Sequence, residues 1–309
     1  MNCEPLEDRL TPAIDLSQSL RAPLFDGYGG AFAAAAGDVT GDGTADLVAI
    51  APVNGHVKVL DGRTGVERSS FFAYSEFTGS VRVAVADVNG DGYADIITVA
   101  GRDAHVKVFN GRTGTLDQSF LAYPGYNGAV VLDVRRGIPL QQYGPGGATI
   151  STFAPLVVQA VDNGHVKVFN GQTGAEAGSF MPYAGYNGPI QVATGDLNYD
   201  GMVDVVTVAP TGGHVRVFDG ATRIERASFQ AYPGYNGLVE IAANESSLGG
   251  SSYGITTRAS DGHVKRFDPF TWTEIASYMD VNRDGVPDVE PVPGSGPTQL
   301  ITLPNQASV

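Results

Sequence analysis

The sequence contains a single cysteine, Cys3, among 309 residues, so no disulfide can form within the chain. Charged residues make up only 17%, and 19 Lys and Arg stand against 33 Asp and Glu, which gives a formal net charge of −14. Nucleic-acid binding needs clustered cations, so we expect no nucleic-acid partner. No run of about 18 apolar residues is present, so we expect no transmembrane segment.

A helical period of useful length is also missing, whereas glycine is abundant, with 41 residues. This composition favours many short strands joined by tight turns. The first ten residues (MNCEPLEDRL) have no apolar core of signal-peptide length, so no signal peptide is visible in this chain.

One short segment recurs five times and carries every histidine of the protein. The copies are GHVKVLDGRTG from Gly55, AHVKVFNGRTG from Ala104, GHVKVFNGQTG from Gly164, GHVRVFDGATR from Gly213 and GHVKRFDPFTW from Gly262. The histidines occupy the second position and are separated by 49, 60, 49 and 49 residues: His56, His105, His165, His214 and His263. The chain is therefore built from repeated units, and the third unit contains an insertion.

Each unit predicts four short strands. In the second unit these are residues 81–88, 96–100, 105–109 and 116–122, where apolar runs or alternating apolar residues are bounded by turn residues. Units of about 40–50 residues with four strands are typical of β-propeller blades.

The predicted fold class is all-β, a β-propeller of about six four-stranded blades. We expect residues 19–25 and 298–303 to close it with N- and C-terminal strands, because such closure removes exposed sheet edges. Only 12 residues separate Phe267 from Asp280, against 26 between Leu60 and Asp87, so five blades plus an appended hairpin is the alternative. The predicted domains are a tail at 1–15, one propeller at 16–305 and a tail at 306–309.

Four acidic segments carry the candidate chemistry: DVTGDGTAD, DVNGDGYAD, DLNYDGMVD and DVNRDGVPD. Each has oxygen-bearing side chains at positions 1, 3, 5 and 9, glycine at position 6, and a backbone carbonyl at position 7 that could add a ligand. The predicted metal ligands of the four loops are Asp38, Thr40, Asp42, Thr44 and Asp46; Asp87, Asn89, Asp91, Tyr93 and Asp95; Asp196, Asn198, Asp200, Met202 and Asp204; and Asp280, Asn282, Asp284, Val286 and Asp288.

Such a ligand set suits Ca²⁺, which takes six to eight oxygens in flexible geometry, so we predict about four Ca²⁺ sites. Mg²⁺ prefers water-rich octahedral sites, and no cysteine pair or histidine cluster favours a transition metal. The segments are not EF-hands, because position 12 is Ala49, Thr98, Thr207 or Pro291 instead of Glu. The competing interpretation is that they are acidic surface turns, which Asp, Asn and Gly favour.

With its D-x-[D/N]-x-D-G-x-x-D loops repeated in phase, the sequence resembles the FG-GAP and VCBS repeat families, the calcium propeller units of integrin α-subunits and many bacterial surface proteins. The resemblance implies that each loop joins the first two strands of a blade and binds calcium. Thr40 departs from the pattern and implies a weaker first site. The corresponding segment of unit three, 134–153, has no carboxylate, and that of unit five, 243–254, has only Glu245, so we expect no calcium at either.

No nucleophile elbow, phosphate-binding glycine loop or paired-cysteine metal motif is present, and we predict a non-catalytic protein. The five histidines recur in equivalent positions, which favours a packing role, and the aromatic segments are expected to fill the space between blades.

We predict a calcium-stabilised extracellular or cell-envelope scaffold for binding or adhesion that presents loops to a protein or polysaccharide. A polysaccharide-active lyase or hydrolase and a sugar-binding lectin are the alternatives.

Overall fold

The computed structural model describes residues 24–25, 32–52, 54–135, 155–160, 163–198, 200, 202–244, 254–280, 289–291 and 300–302. In these ranges the chain is all-β, with antiparallel strands, a single three-residue 3-10 turn at Thr211–Gly213 and no α-helix. No helix in this part of the protein is long and apolar enough to cross a membrane. The predicted all-β class is confirmed.

The strands form five antiparallel sheets in which sequence neighbours are also spatial neighbours. Blade 1 contains β1 (Ala33–Gly37), β2 (Asp46–Ala51), β3 (His56–Leu60) and β4 (Glu67–Phe72). Blade 2 contains β5 (Val81–Ala86), β6 (Asp95–Ala100), β7 (His105–Phe109) and β8 (Leu116–Leu121). Blade 3 contains β9 (Val130–Val134), β10 (Pro155–Ala160), β11 (Val166–Asn170) and β12 (Glu176–Phe180).

Blade 4 contains β13 (Gln191–Gly195), β14 (Asp204–Ala209), β15 (His214–Phe218) and β16 (Glu225–Gln230). The fifth sheet has six strands: β17 (Val239–Asn244), β18 (Gly254–Ala259), β19 (His263–Phe267), β20 (Glu274–Met279), β21 (Val289–Pro291) and β22 (Leu300–Thr302). Four four-stranded blades with the up-and-down order of a β-propeller are thus present.

The prediction of about six blades is not confirmed, because the described residues form five sheets. A strand is present at Leu300–Thr302, inside the predicted 298–303 segment, but it pairs with β21 at the edge of the fifth sheet. In this sheet the hairpin β21–β22 extends four strands, whereas the five-bladed propeller of the alternative stays a prediction. Of the N-terminal segment expected to complete the closure, only Leu24 and Phe25 lie within the described residues.

Burial explains why the four strands of a blade have different compositions. The second strands β2, β6 and β14 are buried along their whole length, as expected for strands covered on both faces. The third strands alternate between buried valines and half-buried polar residues, and the fourth strands are largely exposed. A register shift recurs near the end of the third strand, between Val59 and Leu60 in blade 1 and between Val108 and Phe109 in blade 2.

The chain divides into two compact units, Met1–Gly188 and Pro189–Val309. Within the first unit the first strands of neighbouring blades contact one another, β1 with β5 and β5 with β9. Within the second unit β13 contacts β17 in the same way. The single propeller predicted over 16–305 stays a prediction, and the tails at 1–15 and 306–309 lie outside the described residues.

Candidate functional site

Three acidic loops occupy the same connection in their blades. The loop from Asp38 joins β1 to β2, the loop from Asp87 joins β5 to β6, and the loop from Asp196 joins β13 to β14. The fourth begins at Asp280 after β20 and precedes β21; its other predicted ligands, Asn282, Asp284, Val286 and Asp288, lie outside the described residues. The placement between the first two strands therefore holds for three loops, whereas the fourth follows a fourth strand.

The aspartate at position 1 organises each of the first two loops. Asp38 Oδ1 accepts hydrogen bonds from the backbone N–H of Gly41 (2.7 Å) and Asp42 (3.0 Å), and its Oδ2 accepts one from Gly43 (2.9 Å). Asp87 accepts from Gly90 (2.6 Å) and Gly92 (3.1 Å). The loop backbone thus curls around one carboxylate.

Glycine is needed at two positions of these loops because the backbone is left-handed there. The φ angles are 74° at Gly41 and 84° at Gly43, and the second loop repeats them at 83° and 89°. A side chain on Gly41 would also collide with the ring of Tyr93 from the second loop. The backbone N–H of Ala94 donates to the carbonyl of Asp38 (2.8 Å), so the first two acidic loops contact each other directly.

The aspartate at position 9 ties its loop to the turn between the third and fourth strands. Asp46, Asp95 and Asp204 are fully buried, and each accepts a hydrogen bond from the backbone N–H of loop position 2, at 2.9, 3.0 and 3.1 Å. Their other oxygens accept the backbone N–H of Gly62, Gly111 and Gly220 at 2.9, 3.0 and 2.8 Å. The sequence pattern proposes these residues only as ligands and gives no sign of this second role.

Burial disfavours the charged form of the Asp95 and Asp204 carboxyl groups. It raises the pKa of Asp95 to about 6, with a further upward contribution from Asp91 and Asp87, against hydrogen bonds from Gly111 and Val88 that lower it. Burial likewise raises the pKa of Asp204 to about 6, opposed by hydrogen bonds and by Arg226. A cation held beside these groups would favour their ionised form.

Position 5 is exposed in these three loops, whereas position 3 is half-buried. Asp42 lies 3.6 Å from the guanidinium of Arg63, and Asp91 accepts the backbone N–H of Tyr93 at 3.0 Å. In the third loop Asn198 donates to Asp200 at 2.8 Å, and Asp200 accepts from the backbone of Met202 at 2.7 Å. Within the described ranges no group of three or more His, Cys, Asp or Glu side chains is arranged as a metal cluster.

Two candidate ligand oxygens are buried without a hydrogen-bond partner. They are Thr40 Oγ1, at position 3 of the first loop, and Asp280 Oδ1, at position 1 of the fourth. No other side-chain oxygen of the described residues is in this state. Because a buried acceptor without a partner is costly, both positions fit an oxygen that a bound cation would satisfy.

The recurring histidines serve the packing of each blade. Nε2 of every histidine is hydrogen-bonded to the hydroxyl of a serine on the fourth strand, at 2.6–2.9 Å: Ser70, Ser119, Ser179, Ser228 and Ser277. Burial lowers the pKa of all five, and the Lys or Arg two residues further on lowers it again. These contacts agree with the predicted packing role.

A tyrosine joins each blade to the next within a unit. Tyr74 donates its hydroxyl to the carbonyl of His105 at 2.7 Å and lies 3.0 Å from the hydroxyl of Thr98. Tyr123 and Tyr232 make the same bond to the carbonyls of His165 and His263, at 2.7 and 2.8 Å. Burial raises the pKa of Tyr74 and raises that of Tyr232 to about 12.

Aromatic rings fill the same junctions, as predicted. The ring centroids of Phe71 and Phe109 are 4.7 Å apart, and the equivalent pairs Phe120–Phe169 and Phe229–Phe267 have the same separation. Such pairs contribute beyond the area that they bury. The sequence repeat identifies these residues, but only the folded arrangement shows which blade each one contacts.

The turn between the third and fourth strands is a further repeated motif. Asp61 Oδ1 accepts hydrogen bonds from the backbone N–H of Arg63 (3.1 Å) and Thr64 (2.7 Å) and from the Thr64 hydroxyl (2.8 Å). Asn110, Asn170, Asp219 and Asp268 accept equivalent bonds in the other copies. The repeated D/N-x-x-T letters are the signal that could have identified this motif.

Two segments match known family models. Residues 38–98 match the FG-GAP-like repeat, and residues 81–116 match the FG-GAP repeat. FG-GAP repeats are therefore present in this chain, and the matched residues extend from the first acidic loop to the first residue of β8. No curated protein matches the chain.

Proposed function

We propose that the chain is a calcium-stabilised, non-catalytic binding or adhesion scaffold that works in an extracellular or cell-envelope setting. FG-GAP repeats are typical of extracellular propeller modules, and two matches to such repeats support this class. The single observation that carries the calcium proposal is the recurrence of one acidic loop at the same connection of three blades.

The chemistry of these loops supports Ca²⁺. Carboxylate, amide and hydroxyl oxygens from positions 1, 3 and 5 gather on one short turn, and the unpartnered oxygens of Thr40 and Asp280 belong to the same ligand set. Four Ca²⁺ ions would reduce the formal charge from −14 to −6 and relieve repulsion among the loop carboxylates.

The setting follows from the expected affinity. Sites of this kind in extracellular modules have Kd values of about 0.1–1 mM, which cytosolic calcium does not fill. We therefore place the protein where calcium is abundant, and expect a protein or polysaccharide partner bound by loops outside the repeated framework. The insertion at 135–152 is the most individual of these, and all of it except Arg135 lies outside the described residues.

The proposal is tested by combining partner screening with an assay for turnover. Glycan and protein arrays would be probed with the purified chain in calcium and again in a chelator. We expect binding that depends on calcium, and no cleavage of any bound polysaccharide as judged by new reducing ends. Cleavage that a single Asp or Arg substitution abolishes would instead establish the enzymatic alternative.

A further inference from the structure

A cavity of about 320 Å³ lies between blades 1 and 2. Tyr74, Ser75 and Phe77 form one side, and Arg102, Asp103, His105 and Lys107 are among the residues that form the other; we name it the Arg102 pocket. A second cavity of about 360 Å³ shares Phe77 and Arg102 and extends the site towards Asn127. These volumes fall at the small end of the range of ligand sites, about 300–1,000 Å³.

Lys107 differs from its equivalents in the other blades. In those blades the third-strand cation is paired with a glutamate at the start of the fourth strand: Lys58–Glu67 (2.8 Å), Lys167–Glu176 (2.8 Å), Arg216–Glu225 (2.5 Å) and Lys265–Glu274 (2.7 Å). Blade 2 has Leu116 at that position, and Lys107 has no ion pair among the described residues. Its ammonium donates to the carbonyl of Ala73 (2.8 Å) and lies 5.2 Å from the centroid of Tyr74.

The aromatic residue of this junction differs too. Tyr126 and Tyr235 occupy the equivalent place in later copies, and their hydroxyls bond to the carbonyl of Ala129 (2.9 Å) and to Ser260. Phe77 has no hydroxyl, and the guanidinium of Arg102 lies 5.8 Å from its ring centroid. Arg102 is exposed, and no ion pair to it exists in the described part of the chain.

The pocket therefore gathers two cations that form no ion pair within the described residues, in a protein of net charge −14. Burial lowers the pKa of His105, which favours the neutral form of this ring. Asp103 is the carboxylate of the lining, and its Oδ1 already accepts the backbone N–H of Gly125 at 2.6 Å. A carboxylate retains further acceptor sites, which would bind hydroxyl groups of a ligand and repel a dianion.

We propose that the Arg102 pocket binds a carboxylate-bearing saccharide. Arg102 and Lys107 hold the carboxylate, with Arg102 offering the forked donors that match its two oxygens. Asp103 accepts hydrogen bonds from sugar hydroxyls, Ser75 can accept or donate them, and the apolar face of the sugar ring packs against Phe77. Binding requires both a single negative charge and hydroxyl groups on the ligand. A phosphate dianion is repelled by Asp103, and an acidic peptide without hydroxyl groups does not satisfy Asp103 and Ser75.

The test is an NMR titration of the intact chain at a fixed calcium concentration. The probes are D-glucuronate, D-glucose as the neutral sugar of the same ring, inorganic phosphate and a tetraglutamate peptide. We expect glucuronate to shift the His105 and Arg102 side-chain signals and to bind at least about tenfold more tightly than the other three probes. Equal or tighter binding of glucose, phosphate or tetraglutamate overturns the proposal.

Two substitutions then locate the site. Arg102→Ala should weaken glucuronate binding about tenfold or more, because a hydrogen bond to a charged group is lost. Leu116→Glu restores the glutamate of the other blades, so it should pair with Lys107 and also weaken binding. The matched control is Ile275→Glu, which adds the same charge at another exposed outer-strand position and should leave binding unchanged. Unchanged glucuronate binding in both pocket variants, with unaltered melting temperatures, would refute the assignment.

Discussion

Calcium should raise the melting temperature of this protein by an amount that can be calculated. With a Kd of about 0.1 mM and about 1 mM calcium, each occupied site adds roughly 1.4 kcal/mol to the free energy of unfolding. The entropy of unfolding of 309 residues is about 0.65 kcal/mol per kelvin. Each site should therefore raise the melting temperature by about 2 °C, and four sites by about 9 °C.

The substitution Asp91→Ala tests one site. Asp91 is exposed and accepts a hydrogen bond from the Tyr93 backbone at 3.0 Å, so its removal should change the melting temperature little in a chelator. In calcium, the variant should lose about 2 °C of the rise. Asp200→Ala should do the same for the third loop, because Asp200 occupies the equivalent position 5.

The matched control is Asp117→Ala, which removes the same charge from exposed strand β8, outside the acidic loops. Differential scanning calorimetry of all four proteins, with calcium titrated against chelator, gives the comparison. The control should keep the full calcium-dependent rise. If the wild-type melting curve is indifferent to calcium, or if Asp117→Ala and Asp91→Ala lose equal parts of the rise, the assignment of these loops as calcium sites is wrong.

Three further outcomes follow from the packing residues. The histidine contribution to stability should fall as the pH drops through about 6.5, because burial lowers the folded-state pKa of the histidines below their unfolded value. His105→Gln should therefore make stability fall less between about pH 7.5 and 6 in pH-dependent melting, and a profile identical to that of the wild type would argue against this. Tyr74→Phe should lower the free energy of unfolding in urea by about 1–3 kcal/mol, whereas Tyr126→Phe, at a more exposed hydroxyl, should cost less; equal effects would show that the junction bond is unimportant. Hydrogen bonds from Thr64, with Arg68 contributing, hold the pKa of Asp61 at about 2, so its stabilising effect is complete above about pH 3.8 and is lost as the pH falls through about 2. Asp61→Asn should therefore make the free energy of unfolding depend less steeply on pH in that range, and a dependence as steep as that of the wild type would contradict this.

The repeat made much of the fold predictable. Alternation in residues 105–109 and the apolar run at 96–100 correspond to β7 and β6, because period-two patterns follow directly from strand geometry. The number of sheets was harder to predict. The end of the chain keeps an acidic loop and a strand at Leu300–Thr302, but strand signals do not specify partners, and this strand pairs with β21 in the fifth sheet.

The candidate sites were also predictable only in part from the sequence. Loop spacing identified the carboxylates of Asp38 and Asp87 and the glycine at position 6, since both depend on neighbours in sequence, whereas the left-handed glycine at position 4 was not predicted. The anchoring of Asp95 to Gly111 spans 16 residues, and the contact between Arg102 and Phe77 joins two blades. Such contacts depend on tertiary structure, which the sequence pattern does not specify. For the Arg102 pocket, the sequence shows only that Leu116 stands where the other units have the glutamate that pairs with the third-strand cation.

The tyrosine junction is present in several copies, and this has a consequence for how the protein can diversify. A change in one copy leaves the other copies intact. The junction between blades 1 and 2 has Leu116 where the other units have glutamate and Phe77 where later copies have tyrosine, yet it keeps the hydrogen bond from Tyr74 to the carbonyl of His105. Because the tyrosine bond is repeated at separate junctions, one junction can carry different side chains while the bonds at the other junctions are unchanged.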